Sequence, residues 1–235
     1  MSDFTVIIPV YIINELLLTM TKEAISGLGD VHLIIIDNNS PLGGGYLRSA
    51  ADTYIRNKVN LGYAPAVNQG LKLSKTPYTA VGENDIRVSP NWQEAAREAL
   101  QDPTVYSCHF RMTDYDVPFQ YGKQVVLTGK ERWCTAPFFV IGDHKKVLFD
   151  ENFFNSYEDY DYFYRIRRLG YKTAYTDKAS FQHHHSLTQR LVGFKGTKNN
   201  REYFKEKHGE YADDLIRKSY PKQWEIDYWR GFDVL

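Results

Sequence analysis

Three short clusters in the 235-residue chain combine residue types that could share one reaction. Glu83-Asn84-Asp85 follows the apolar run Tyr78 to Val81, which places two carboxylates at the end of an expected strand. Held rigidly there, they suit a hard divalent cation, which prefers oxygen ligands in a fixed arrangement. The same tripeptide would also make an ordinary turn, because asparagine and aspartate favour turns. Tyr157-Glu158-Asp159-Tyr160-Asp161 opens an expected helix. Acids at that position commonly answer the free amides and positive end of the helix. Asp161 has Arg165 one turn on and reads as a surface ion pair, whereas Asp159 has Phe163 at that spacing and is the better candidate for a general base. The third cluster is Phe181-Gln182-His183-His184-His185. In an extended chain alternate side chains share a face, so His183 and His185 point together as candidate ligands for a manganese-like ion.

The elements that must position these clusters alternate regularly. Phe4 to Val10 and Val31 to Ile36 are continuous apolar runs, the signature of strands buried on both faces. Between them Asn14 to Leu28 reads as a helix, with Asn14 as N-cap and Gly27 and Gly29 near its end. A short strand from Thr53 to Arg56, a helix from Pro65 to Ser74 and a strand from Tyr78 to Val81 follow. The spacing predicts a helix from Trp92 to Leu100, an irregular aromatic stretch from Asp102 to Phe139, a helix from Tyr157 to Leu169 stopped by Gly170, and short strands at Lys172 to Tyr175 and Ala179 to His183. This order predicts an α/β fold with a mostly parallel central sheet flanked by helices, followed by a helical tail. Ligands of such sheets lie beyond the carboxyl ends of the strands, which directs attention to Asp37, Asn60 and residues 83 to 85.

Bulk composition is consistent with one such domain. Lysine plus arginine balances aspartate plus glutamate at 29 each, so no global charge favours nucleic acid or anionic membrane. Two cysteines, Cys108 and Cys134, fit no zinc spacing and are expected to be free thiols in a reducing compartment. The first residues lack a signal-peptide pattern, and no apolar run is long enough to span a bilayer, so a cytoplasmic protein without an integral membrane segment is expected.

Five ordered segments resemble glycosyltransferase family 2. They are Val6-Ile7-Ile8-Pro9-Val10-Tyr11; Ile35-Ile36-Asp37-Asn38-Asn39-Ser40; Asn60-Leu61-Gly62-Tyr63 with Asn68 and Gly70; Phe149-Asp150-Glu151-Asn152-Phe153-Phe154; and Glu158-Asp159-Tyr160-Asp161 with Arg165 to Tyr171. The resemblance runs from about residue 4 to 185. It implies a GT-A fold, with a nucleotide-binding half over 1–89, an acceptor half over 90–186, and a lid and helical tail over 187–235. It implies an inverting enzyme that moves a sugar from a nucleoside-diphosphate sugar to an acceptor hydroxyl, with Mn²⁺ or Mg²⁺ on the diphosphate. By the same resemblance Asp37 would bond the base, Asn60 with Asn68 would shape the nucleoside pocket, and Pro9, Tyr11, Gly62, Glu83 and Asn84 would border the donor. Asp85 and His183, with His185 beside it, would hold metal or diphosphate, and Asp159 with Glu158 would supply the base. Glu83 stands where the family has its first aspartate, which leaves ribose, metal or lining roles open to it.

The chemistry agrees with that assignment. A bound metal neutralises charge on a departing diphosphate, and a positioned carboxylate takes the proton of the incoming hydroxyl. A sugar-nucleotide nucleotidyltransferase would want a glycine-rich basic loop after the first strand, where Tyr11-Ile12-Ile13-Asn14-Glu15 stands instead. Gly43-Gly44-Gly45 lacks dinucleotide-binding spacing and reads as a flexible link. A catalytically inactive nucleotide-sugar or glycan-binding module is the remaining alternative. Arg190 to Lys207, with six basic residues and two acids, is expected to be a mobile lid that clamps the diphosphate. The acceptor (glycan, lipid-linked sugar, protein or modified nucleic acid) and the base (uracil, guanine or thymine) are unread.

Overall fold

The first strand, β1 (Phe4–Val10), is buried at all seven positions, so the chain must cover both of its faces. Phe4, Val6, Ile8 and Val10 enter one apolar cluster and Ile7 enters another, as strand alternation requires. The structure is a computed structural model that describes residues 2–114, 118–123, 125–128, 137–142, 147–184, 187–191 and 198–212. Beside β1 lie β2 (His32–Asp37) and β4 (Tyr78–Gly82), both parallel to it, and β3 (Thr53–Arg56) extends the parallel run beyond β2. The connecting helices are α1 (Glu15–Ser26), α2 (Gly44–Ala50) and α3 (Tyr63–Leu73). Asn14 caps α1 as expected, its side-chain oxygen accepting from the Leu17 amide at 3.0 Å. Gly43 to Gly45, by contrast, form no loose link: Gly43, at φ 80°, is the N-cap of α2, and a Cβ there would lie 2.7 Å from Leu18 Cδ1.

The second half adds β5 (Ile86–Val88), α4 (Trp92–Ala99), β6 (Val105–Asp114), β7 (Val125–Thr128), β8 (Phe138–Ile141), α5 (Glu158–Arg168) and β9 (Lys172–His183). The described strands form one sheet in the order β3-β2-β1-β4-β8-β6-β9-β5, with β7 also paired to β9. It is parallel from β3 to β4, then mixed, because β8 runs antiparallel to both β4 and β6. The stretch read as irregular thus contains β6, β7 and the start of β8. Buried polar residues interrupt its pattern: Ser107 Oγ and His109 Nε2 pair at 3.1 Å in the interior. The two short strands expected near 172 and 183 are one long strand. The pairing of β9 with β6 slips from Thr176 to Ser180, and this irregularity split the pattern.

Helices α1, α2 and α4 pack on one face of the sheet; α3, α5 and a later helix, α7 (Lys198–His208), pack on the other. The fit is closest where α3 crosses β1. A Cβ on Gly70 would lie 2.4 Å from Ile7 Cγ2 and 2.9 Å from Ile7 Cγ1. Gly70→Ala is therefore expected to destabilise by about 1–3 kcal/mol through overpacking, outweighing a helical gain of roughly 1 kcal/mol. Urea unfolding checks it, and a stabilised variant would refute the close contact. Among the described residues no helix is long and apolar enough to cross a membrane, and Cys108 is a buried free thiol. Cys134 lies outside the described residues.

Candidate active site

The turn between β4 and β5 carries Glu83, Asn84 and Asp85, and β9 delivers His183 beside it because Ile86 pairs with His183. The His183 ring Nε2 is 3.3 Å from Glu83 Oε2 and 3.5 Å from Asp85 Oδ1. One ligand atom from each of the three residues falls within 4.8 Å of the others. Asp85 is 2% exposed, and neither of its oxygens has a hydrogen-bond partner. Burial alone would raise its pKa, but the His183 and His184 rings and its own backbone amide hold it below the usual value. Burial likewise works against a charged His183, yet Asp85 and Glu83 lift it to about 10. Two carboxylates and an imidazole with buried, unsatisfied oxygens are a donor set that fits a hard or borderline divalent cation.

Across the cleft stands the start of α5. Tyr157 is its N-cap, at φ 65°, a left-handed conformation that a bulky residue adopts only under constraint. Glu158 is buried and borders the cleft, and its Oε2 has no hydrogen-bond partner. Burial, then the charge of Asp159, push Glu158 well above the usual carboxylate range. Asp159 is partly exposed, and its Oδ1 accepts from the Tyr160 amide at 2.8 Å. Burial raises Asp159 to about 6, with the Glu83 charge adding to the rise. The cleft between the two acid groups is walled by Pro9, Val10 and Tyr11 at the end of β1, by Asn60, Gly62 and Tyr63 at the start of α3, and by Thr188 on α6 (Leu187–Leu191).

The chain as a whole has counterparts among known proteins. The sequence model for Glycosyl transferase family 2 matches residues 5–163. The chain belongs to glycosyl transferase family 2. No curated protein sequence matches it. Among solved structures it resembles S. aureus TarS 1-349 at TM-score 0.65 and 11% identity, covering 99% of this chain and 75% of that one. It resembles the mannosyltransferase PcManGT from Pyrobaculum calidifontis, solved with GDP-Man and Mn²⁺, at TM-score 0.60 and 12% identity, covering 92% and 72%. GalNAc-T7 with UDP, GalNAc and Mn²⁺ matches at TM-score 0.58 and 16% identity, covering 77% and 43%. At such identities these structures establish the shared GT-A fold, and family membership makes the chain a nucleotide-sugar glycosyltransferase.

The structure of this glycosyltransferase gathers Pro9, Tyr11, Asn60, Gly62, Glu83, Asn84, Asp85, Glu158 and His183 around the cleft. Two expected binders are committed elsewhere, and Asp159, the expected base, is not among the residues that line the cleft. Asp37 is fully buried, with its carboxylate taken up by the Ser40 amide at 2.7 Å, Tyr54 Oη at 2.6 Å and Arg56 Nη1 at 2.5 Å, because β3 sets Arg56 beside it in register. Asn38, not Asp37, borders the cleft. Asn68 is buried on α3, where its amide bonds the Phe149 backbone in both directions and Glu151 at 2.8 Å; it staples two segments and does not line this cleft. Asn84 turns its amide to Thr21 at 3.0 Å, leaving mainly its position in the turn to the cleft.

His185 lies outside the described residues. The alternation that paired it with His183 needs a strand, and β9 ends at His183. Asp161, read as a surface acid, is completely buried: Arg165 Nε, Lys207 Nζ and His208 Nε2 each lie 2.7 Å from its oxygens. Lys207 therefore belongs to a docked helix and does not reach for a diphosphate. The glycines of the expected lid, Gly193 and Gly196, lie outside the described residues. Sequence reading overlooked Asn38, Tyr63, Asn155 and Thr188 as cleft residues. The Thr188 hydroxyl is buried without a partner, a signal visible only once α6 folds over the cleft.

Proposed function

We propose that this glycosyltransferase is an inverting enzyme that uses Asp159 as general base and Asp85, Glu83 and His183 as the holders of Mn²⁺ or Mg²⁺. The observation that carries the reading is the buried, unsatisfied Asp85 carboxylate clustered with Glu83 and His183 on one side of a cleft, with Glu158 on the other and Asp159 next to it on α5. The ion, when bound, would neutralise the charge that develops on a departing nucleoside diphosphate. Tyr11, Asn60 and Gly62 would flank the nucleoside, and the unpartnered Thr188 hydroxyl would donate to the donor. Asp159, with its pKa drawn up to about 6, is largely ionised at neutral pH yet basic enough to take a proton from an acceptor hydroxyl. Attack from the α5 side, opposite the metal side, inverts the anomeric carbon. The TarS structures with UDP and UDP-GlcNAc and the PcManGT complex with GDP-Man make uridine and guanosine diphosphate sugars the first donors to try.

A thermal-shift screen of UDP, GDP, dTDP and their sugars, with and without Mn²⁺, tests this reading. At a ligand concentration of 100 Kd, linkage adds about 2.7 kcal/mol. For a domain of this size that is a rise of roughly 5–10 °C, and it should require the ion. No shift with any nucleotide in either metal condition would overturn the donor assignment. A binding module without catalysis would shift equally but release no free sugar from the donor.

A further inference from the structure

We propose that α7 is a positioning element of the active site, in which Asn200 holds the loop 154–157 so that the first turn of α5 faces the cleft. This rests on the reading of α5 as the base-bearing side of that cleft. The loop is held in a conformation its residues would not choose. Asn155 has φ 52° and Tyr157 has φ 65°, two left-handed positions separated by one residue. Such backbone persists only where its surroundings over-determine it. Asn200 supplies that determination. Its side chain is 6% exposed, and its Nδ2 donates to Phe154 O at 3.0 Å, Ser156 O at 2.9 Å and Ser156 Oγ at 2.7 Å. Because carbonyls only accept, the group facing them must be the NH₂ end of the amide. One buried side chain from 44 residues away thus grips the backbone on both sides of Asn155 and immediately before Tyr157.

The held loop is a wall of the cleft. Asn155 borders it, and its Oδ1 accepts from the Tyr63 amide at 2.9 Å, joining the loop to the start of α3. Phe154 lies so close to Gly62 that a Cβ there would sit 2.9 Å from the ring. The far end of α7 fixes the same stretch from its other flanks. Lys207 Nζ reaches Asp150 at 2.5 Å and Asp161 at 2.7 Å, and Tyr203 Oη donates to Asp150 at 2.9 Å. Asp161 lies two residues beyond Asp159 on α5. None of the described α7 side chains borders the cleft, so the helix acts through the loop and through α5, and its loss should be felt in turnover more than in donor affinity.

The test compares wild type with Asn200→Ala and with Asn200→Ser, which keeps one donor. Affinity for UDP and GDP with Mn²⁺ is measured by calorimetry. Slow hydrolysis of UDP-GlcNAc and GDP-mannose gives turnover, and hydrogen exchange reports the amides of 158–161. Asn200→Ala is expected to leave nucleotide Kd within twofold, to slow hydrolysis at least tenfold, and to speed exchange at 158–161 at least tenfold while β1 and β2 keep their protection. Asn200→Ser should fall between, and it decides the matter if the alanine variant fails to fold. Unchanged hydrolysis and exchange overturn the proposal. So does a parallel loss of affinity, turnover and protection across the whole sheet, which would make Asn200 a general stabiliser. If the wild type binds neither nucleotide, the donor reading fails by itself, and local exchange at 158–161 alone decides whether Asn200 positions α5.

Discussion

Asp159→Asn is expected to slow sugar transfer by about 10²–10⁴, the usual cost of losing a general base, while calorimetric affinity for nucleoside diphosphate and metal stays close to wild type. The separation follows from geometry: the Glu83, Asp85 and His183 cluster is on the strand side of the cleft, and Asp159 is on α5. Glu158→Gln supplies the contrast. Burial and the neighbouring Asp159 charge push the Glu158 pKa well above the usual carboxylate range, so the neutral glutamine should disturb that position less and cost much less than Asp159→Asn. The rate of the wild type should fall as pH drops through about 6, where Asp159 takes up its proton. Stability carries the opposite sign. A carboxyl whose folded pKa is raised favours the fold below its unfolded value and loses that contribution as pH rises through about 6. Asp159→Asn should therefore gain melting temperature relative to wild type more at pH 8 than at pH 4. Wild-type turnover in Asp159→Asn, or a rate that ignores pH between 5 and 7, would move the base to another residue.

Asp85→Ala should remove the metal-dependent part of nucleoside-diphosphate binding. Even indirect supports of metal ligands cost on the order of 10–100-fold in affinity when lost, and a direct ligand should cost no less. Asp85 also faces the buried His183 ring at 3.5 Å, so its loss takes a charge partner from that imidazole, and the melting temperature of the variant is measured beside its affinity. Calorimetry with UDP and GDP, each with and without Mn²⁺, reads the effect directly. Metal enhancement that survives in Asp85→Ala would sink the assignment and point to Glu83 and His183 with a different third group.

Where one local signal suffices, the sequence is legible. The β-branched runs of β1, β2 and β4 announce buried strands, Asn14 announces the start of α1, and the places of Asp85 and His183 after apolar runs put them at the strand ends where they meet. Misreadings arise where a partner arrives from far along the chain. Asp37 looks available until β3 pairs with β2 and lays Arg56 on it. Asp161 looks like one half of an ordinary helical ion pair until α7 returns with Lys207 and His208. Asn155 enters the cleft through a left-handed backbone that asparagine tolerates better than most residues, a preference too weak to single it out among so many turn formers.

The pairing of Ile86 with His183 has a consequence for how the protein comes into being. The acids of the 83–85 turn and their imidazole are separated by 100 residues of sequence. Closing a loop of that length must be paid in chain entropy before any contact rewards it, and pairings of such long range form slowly. The parallel run from β3 to β4 can assemble while the rest of the chain is still leaving the ribosome, but the acid turn remains half-built until β9 is inserted between β6 and β5. The proposed ion site is thus completed late, as a single event coupled to completion of the sheet. In refolding, donor-and-ion binding should appear with the slowest phase, after most strand signal has already returned.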